Sequence, residues 1–251
     1  MDLTQYRAST AEQQRTADLL RLMPASGDHA LDIGARDGHF SLLMAERFSK
    51  VTALDLSMPQ VVHPRVACVE GNAAAMTFAD GAFDFVFCAE VLEHVPTAIL
   101  QDVCTEIQRV ASGRILIGVP YKQDIRMGQT TCQACGSVNP PWGHVNTFDE
   151  DRLAALFASC EVETISFVGE TSARTNAIAA TLLTYAGNPY GTYGQEEPCV
   201  HCGAALTSPS RRGPMQRVAT KLGYWAQGVT DLAAQPRGNW IHMSFRRPRR
   251  G

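Results

Sequence analysis

The sequence predicts an α/β fold: a Rossmann-like seven-stranded sheet with helices on both faces and an insertion between the sixth and seventh strands. Three observations carry this expectation. Ala30-Leu31-Asp32-Ile33 is an apolar strand that breaks into the glycine-punctuated turn Gly34-Ala35-Arg36-Asp37-Gly38. Val51-Thr52-Ala53-Leu54-Asp55 is a second apolar strand, ending in an acid about 20 residues after the turn, where a ribose-binding carboxylate belongs. Further strand and helix patterns then alternate in order, with polar groups at the strand ends.

Taken along the chain, Thr10 to Met23 reads as a capped helix stopped near Pro24 and Gly27. The first strand and its turn lead into a helix at Phe40–Glu46. The second strand is followed by a third, Val66–Glu70, running into Gly71-Asn72-Ala73. A fourth, Phe83–Cys88, runs into Ala89-Glu90-Val91-Leu92-Glu93-His94-Val95, where the strand is expected to enter a helix. Thr97 to Val110 carries Ile99, Leu100, Val103, Ile107 and Val110 at helical spacing. Arg114–Pro120 is the fifth strand, Phe148–Phe157 a helix capped by Asp149 or Thr147, and Val162–Val168 the sixth strand. Asn239–Phe245 alternates as a seventh strand should, and is expected to pair antiparallel beside the sixth.

This order divides the chain into an N-terminal helical cover (1–27), a core (28–169), an insertion (170–237), and a last strand with a basic tail (238–251). The insertion holds an apolar helical run at Asn176–Tyr185, a turn-rich stretch at Gly187–Gly194, and a helix at Met215–Leu232. A hydrophobic content of 45% over 251 residues is enough for one large core. The net charge of −3 gives no global attraction to nucleic acid, although Arg211-Arg212 and Arg246-Arg247-Pro248-Arg249-Arg250 are local basic clusters. Met1–Arg7 lacks the apolar centre of a secretion signal and no run approaches the ~18 apolar residues of a membrane span, so a cytoplasmic protein with no membrane partner is expected.

Cys132-Gln-Ala-Cys135-Gly136 and Cys199-Val-His-Cys202-Gly203 form a matched pair of C-x-x-C-G knuckles. Four thiolates can hold one tetrahedral zinc and leave no open position for water, so the expected role is structural. The roughly 60 intervening residues exceed the ~15–20 of a compact ribbon, which makes the pair a clasp between two insertions. Unrelated surface thiols or one redox pair is the competing reading, and His201 and His144 are substitute ligands. Cys68, Cys88, Cys104 and Cys160 lie in apolar contexts and read as core.

The ordered series of motifs resembles the class I S-adenosylmethionine-dependent methyltransferases, most like their type 11 and type 12 members, over residues ~28–170 and the last strand. The dehydrogenase alternative requires a third glycine where Ser41 stands. The resemblance implies that Gly34, Ala35, Arg36 and Gly38 line the methionine part of S-adenosylmethionine and that Asp32 helps hold its amino group. Asp55 would bind the ribose, Leu56 would flank adenine, Asn72 and Ala73 would meet its edge, and Ala89 would complete the set. Two positions depart from the family pattern: Arg36 replaces its middle glycine and Asn72 an acid. An asparagine oxygen still accepts a hydrogen bond from an adenine amine.

Glu90, Glu93, His94 and His144 resemble the metal-holding group of small-RNA 2′-O-methyltransferases, and the first three also resemble ubiquinone-pathway O-methyltransferases. A Mg²⁺ there would act as Lewis acid and template; without metal, His94 or His144 would serve as general base beside Glu90. Asn139-Pro140-Pro141-Trp142 matches an amine-holding tetrad, but it lies beyond the fifth strand rather than after the fourth and reads as a proline-rich turn. The expected function is methyl transfer to an oxygen of a small or medium metabolite. An RNA 2′-O-methyltransferase and a non-catalytic zinc-clasped module are the alternatives, and the oligomeric state is open.

Overall fold

A computed structural model describes residues 7–209 and 211–248, so Met1–Tyr6 of the expected leaderless start and Arg249 and Arg250 of the basic tail lie outside the described residues. In chain order the elements begin with α1 (Thr10–Leu22), β1 (Gly27–Ile33), α2 (His39–Ala45), β2 (Phe48–Asp55) and β3 (Val66–Glu70). They continue with β4 (Phe83–Ala89), a 3₁₀ turn (Thr97–Ile99), α3 (Leu100–Val110) and β5 (Ala111–Pro120). Two short strands follow, β6 (Thr130–Thr131) and β7 (Val138–Asn139), then α4 (Glu150–Leu156), β8 (Glu161–Val168), α5 (Ala177–Tyr185), α6 (Pro214–Ala233) and β9 (Trp240–Arg246). No described helix is long and apolar enough to cross a membrane.

The chain forms two compact units. The first comprises the segments up to Tyr121, Phe148–Gly169, and Asn239 onward; the second comprises Lys122–Thr147 and Glu170–Gly238.

The first unit holds a seven-stranded sheet in the order β3-β2-β1-β4-β5-β9-β8. The first five of these run parallel, and β9 lies antiparallel to both β5 and β8. Residues such as Leu31, Val86, Ile115 and Ile117 are fully buried because the central strands are covered on both faces, which is why they read as continuous apolar runs. Leu19 and Met44 from α1 and α2 join one core cluster with Phe85, Phe87 and Leu116. Val103, Ile107, Leu153 and Phe157 from α3 and α4 join the other with Val86, Cys88 and Phe245. The strand order reverses between β1 and β4, which opens a crevice at their carboxyl ends.

Helix starts follow local chemistry. Ser9 accepts from the Glu12 N–H at the start of α1, and Asp149, rather than Thr147, accepts from Arg152 at the start of α4. The segment after β4 departs from expectation: residues 90–96 form turns, not a helix. Glu90 adopts a positive φ of 56°, which breaks the chain's direction, and Pro96 blocks helical conformation at the residue before it, so helix begins only at Thr97. Cys88 and Cys104 are core residues as expected, whereas Cys68 and Cys160 are only half-buried, because each lies at the margin of the sheet.

In the second unit, β6 and β7 pair as a hairpin whose turn carries Cys132 and Cys135. Asn176 caps α5 through the Ala179 N–H and also donates to the Ala226 carbonyl and the Thr230 hydroxyl, fixing α5 against α6. Gly223 permits that approach, since a Cβ there would stand 3.0 Å from Leu183 Cγ.

Candidate functional site

The turn after β1 is held open by three positive-φ residues, Gly34 at 76°, Arg36 at 50° and Gly38 at 78°. Gly34 and Ala35 donate their N–H groups to the Leu54 carbonyl at 2.8 and 3.1 Å, and Gly38 donates to Ala35 at 2.7 Å. These bonds lash the turn to the end of β2. A Cβ on Gly34 would fall 2.3 Å from Val91 Cγ2, so this glycine lets the segment after β4 close over the turn. Arg36 takes a left-handed conformation that glycine adopts more readily, and its N–H donates to Asp55 Oδ2 at 2.8 Å. The other oxygen of Asp55 accepts from Ser57 at 3.3 Å. The acid at the end of β2 is thereby oriented at the mouth of the crevice.

Asp32 is buried beneath the turn and accepts a 2.5 Å hydrogen bond from the Ser41 hydroxyl. Burial pushes its carboxyl up to about 7, the Ser41 hydrogen bonds oppose this, and the negative charges of Asp55 and Asp37 add to it. Such a group ionises readily when a cation arrives beside it. Leu56 is 74% exposed, a free apolar surface next to Asp55. Asn72 is exposed and its Oδ1 accepts from the Ala74 N–H at 2.9 Å, closing a small turn, while Ala73 packs against the core. Ala89 is half-buried at the end of β4, opposite Gly118 of β5.

Beyond β4 lies a group of carboxyls in a dry setting. Glu93 is fully buried with neither carboxyl oxygen hydrogen-bonded, and burial, reinforced by Glu90, pushes its pKa well up. Glu90 is half-buried as a residue, but its Oε1 is enclosed and lacks a hydrogen-bond partner. Burial raises its pKa, with the Arg15 charge and a side-chain hydrogen bond from Trp240 acting in the opposite direction. Arg15 and Glu12 of α1 form a bidentate pair at 2.6 and 2.7 Å, and the Arg15 guanidinium lies 5.7 Å from the Phe40 ring centre and 5.9 Å from that of Trp240. His94 sits in the turn, its N–H bonded to the Val91 carbonyl.

Glu12 and Arg15, which read in the sequence only as part of a helix, place their charges where both act on the Glu90 carboxyl. Their signal is positional: Glu12, Arg15 and Leu19 occur at the 3 and 4 spacing of a buried stripe, where charge is out of place unless paired. The same helix supplies Asp18, whose carboxylate lies 2.7 Å from Nδ1 of the buried His242 on β9.

In the second unit, Cys132, Cys135, Cys199 and Cys202 converge, with all four Sγ atoms within 4.8 Å of one another. The Cys132–Cys202 and Cys135–Cys199 Sγ separations are both 3.7 Å. A tetrahedron with metal–sulfur bonds of about 2.3 Å has edges of about 3.8 Å, so these thiols fit a tetrahedral metal. The two knuckles share one design. Gly136 donates to the Cys132 carbonyl and Gly203 to the Cys199 carbonyl, each glycine at a φ above 70° that L side chains rarely adopt. Asn139 ties the two together: its Oδ1 accepts from the Val200 N–H at 2.9 Å. That bond accounts for the asparagine of the Asn-Pro-Pro-Trp motif, with Trp142 at a φ of 52° in the 3₁₀ turn that follows. His144 is buried in this unit with Nδ1 2.6 Å from Gln123 Oε1.

Residues 31–117 match the family model described as a methyltransferase domain. The chain is similar to the ubiquinone biosynthesis O-methyltransferase of Psychrobacter arcticus, 33% identical over 112 residues, which cover 39% of this chain and 42% of that protein. The match thus spans less than half the length of that curated relative. Among solved structures, a Bacillus halodurans C-125 protein described as a candidate methyltransferase superposes with a TM-score of 0.57 at 15% identity, covering 92% of this chain and 98% of the other. The N-methyltransferase NodS of Bradyrhizobium japonicum WM9, solved with S-adenosyl-L-homocysteine, gives 0.53 at 13% identity, covering 98% and 92%. At such identities the likeness is one of fold.

Proposed function

From a chain that carries the class I S-adenosylmethionine-dependent methyltransferase fold, with the methyltransferase-domain match at residues 31–117, we propose an enzyme that moves a methyl group from S-adenosylmethionine to an oxygen of a small or medium metabolite. The observation that carries this reading is the pairing, at one crevice, of the Gly34–Gly38 turn clasped to Asp55 with the enclosed Glu90 carboxyl beyond β4. The kinship to an O-methyltransferase supports oxygen as the acceptor atom.

S-adenosylmethionine supplies an electrophilic sulfonium methyl group. An ionised Asp32 would receive its cationic amino group, Asp55 would accept from its ribose hydroxyls, and Leu56 and Ala73 would present apolar surface to its base. Glu90 takes the proton of the acceptor hydroxyl. A carboxyl raised by burial is a stronger base once ionised, and Arg15 beside it favours that ionised form. Burial and the neighbouring Glu90 push Glu93 toward its neutral form. The four cysteines would hold a structural zinc, which would tie the two inserted segments together.

The test is calorimetric titration of S-adenosylhomocysteine into protein of known zinc content, followed by labelled methyl transfer to a panel of hydroxylated acceptors with and without Mg²⁺. Binding together with a transfer rate lowered in turn by Glu90→Gln, His94→Gln and His144→Gln ranks the three as bases. Absence of binding by folded, zinc-loaded protein replaces the enzyme with a binding module.

A further inference from the structure

α6 presents two unlike faces. Inward it offers Ala219, Thr220, Gly223 and Gln227, all buried, and Gln227 donates to the Arg174 carbonyl at 2.6 Å. Tyr224 lies beside Tyr190, with ring centres 5.8 Å apart, while six further apolar side chains of this helix stay at least half exposed. Met215, Val218, Leu222, Trp225, Val229 and Leu232 are 51–91% exposed. Their numbers step by 3, 4, 3, 4 and 3, the a/d alternation of a coiled-coil seam over two and a half heptads. The uncovered positions beside the seam are Ala226 and Ala233 on one side and Lys221 and Gly228 on the other, so a facing backbone can come close and meets a single charge type at one place.

We propose that α6 pairs through this seam with α6 of a second copy of the chain. A strict a/d pattern is the narrow stripe of helix-on-helix packing, whereas a helix lying on a membrane or against a sheet carries a broader apolar arc. A second copy brings the same knobs and holes in matching register about a two-fold axis without a new sequence. Six such side chains, an aromatic among them, remove about 500 Å² per copy, or roughly 1,000 Å² in all, the lower limit for a specific contact. The expected dimer is therefore a reversible one. The inference concerns the inserted unit alone and does not rest on the proposed chemistry.

Sedimentation velocity on the full zinc-loaded chain from about 1 to about 200 µM tests it. The wild type is expected to pass from monomer to dimer across that range, and Leu222→Glu and Val229→Glu each to weaken association at least about tenfold. Both side chains are exposed, so zinc content and thermal unfolding should be unchanged and serve as the folding control. A wild type that stays monomeric throughout, or a dimer that neither substitution disturbs, overturns the proposal. A monomer that binds anionic phospholipid vesicles through the same residues would assign the seam to a membrane surface instead, and equally overturns it.

Discussion

Arg15 grips Glu12 with two hydrogen bonds of 2.6 and 2.7 Å, and both side chains are almost wholly removed from water. A buried pair of this kind is costly to break from one side, because the remaining charge keeps its desolvation penalty and loses its partner.

Glu12→Ala is accordingly expected to lower stability by about 3–5 kcal/mol in urea unfolding. The double substitution Glu12→Leu with Arg15→Met should recover most of that loss, while abolishing whatever the guanidinium does for Glu90. Stability regained with methyl transfer still impaired would separate the two roles of Arg15.

Asp32 makes stability depend on pH in a defined direction. Its folded pKa of about 7 lies above the ~4 of an unfolded aspartate, so the folded chain binds the proton more tightly. Its contribution is fully present below pH ~4 and is lost as pH rises through ~7, by up to about 4 kcal/mol. Asp32→Asn keeps an acceptor for Ser41 and removes the titration, so the difference between the two unfolding curves should grow from pH 4 to 7. S-adenosylhomocysteine, through its amino group, should draw Asp32 toward ionisation and release a fraction of a proton near pH 6.5, measurable by calorimetry in buffers of different ionisation enthalpy.

Gly34 and Arg36 occupy the same left-handed region with opposite expected responses to substitution. Gly34→Ala adds a methyl 2.3 Å from Val91 Cγ2 on a backbone that resists it, and should cost about 2 kcal/mol or more and weaken S-adenosylhomocysteine binding. Arg36→Gly relieves a strained conformation worth about 1 kcal/mol and should leave stability unchanged or slightly raised. A loss of ligand affinity in Arg36→Gly would show that the guanidinium itself contributes to binding.

Cys135→Ser removes one corner of the thiol tetrahedron. Zinc content is expected to fall from about one per chain toward zero, and the inserted unit to melt separately from the sheet in calorimetry. Chelation of the wild type should reproduce that early transition, and restored zinc should reverse it.

Much of this architecture is legible in the sequence where a residue's neighbours along the chain decide its state. β1, β2, β4 and β5 announce themselves as apolar runs because both faces of a parallel sheet are covered, and Asp149 and Asn176 mark helix starts by their side-chain oxygens. The segment after β4 misleads, since Val91, Leu92 and Val95 imitate a helical stripe while the positive φ of Glu90 leaves no mark in a non-glycine residue. The Glu12–Arg15 pair is likewise invisible as a site until α1 is laid against Phe40 and Trp240. The union of residues 122–147 with 170–238 shows itself in sequence only through the duplicated cysteine knuckles, and the Asn139 bond that joins them crosses 61 positions.

The position of β9 has a consequence for how the chain is made. It lies between β5 and β8, and among the described residues β8 pairs with no other strand of the sheet. On the ribosome, β8 emerges before the whole of residues 170–238 and must wait through their synthesis with both edges bare. A thiol cluster that gathers metal during this interval would keep the intervening chain compact and shorten the search by which β9 finds its slot.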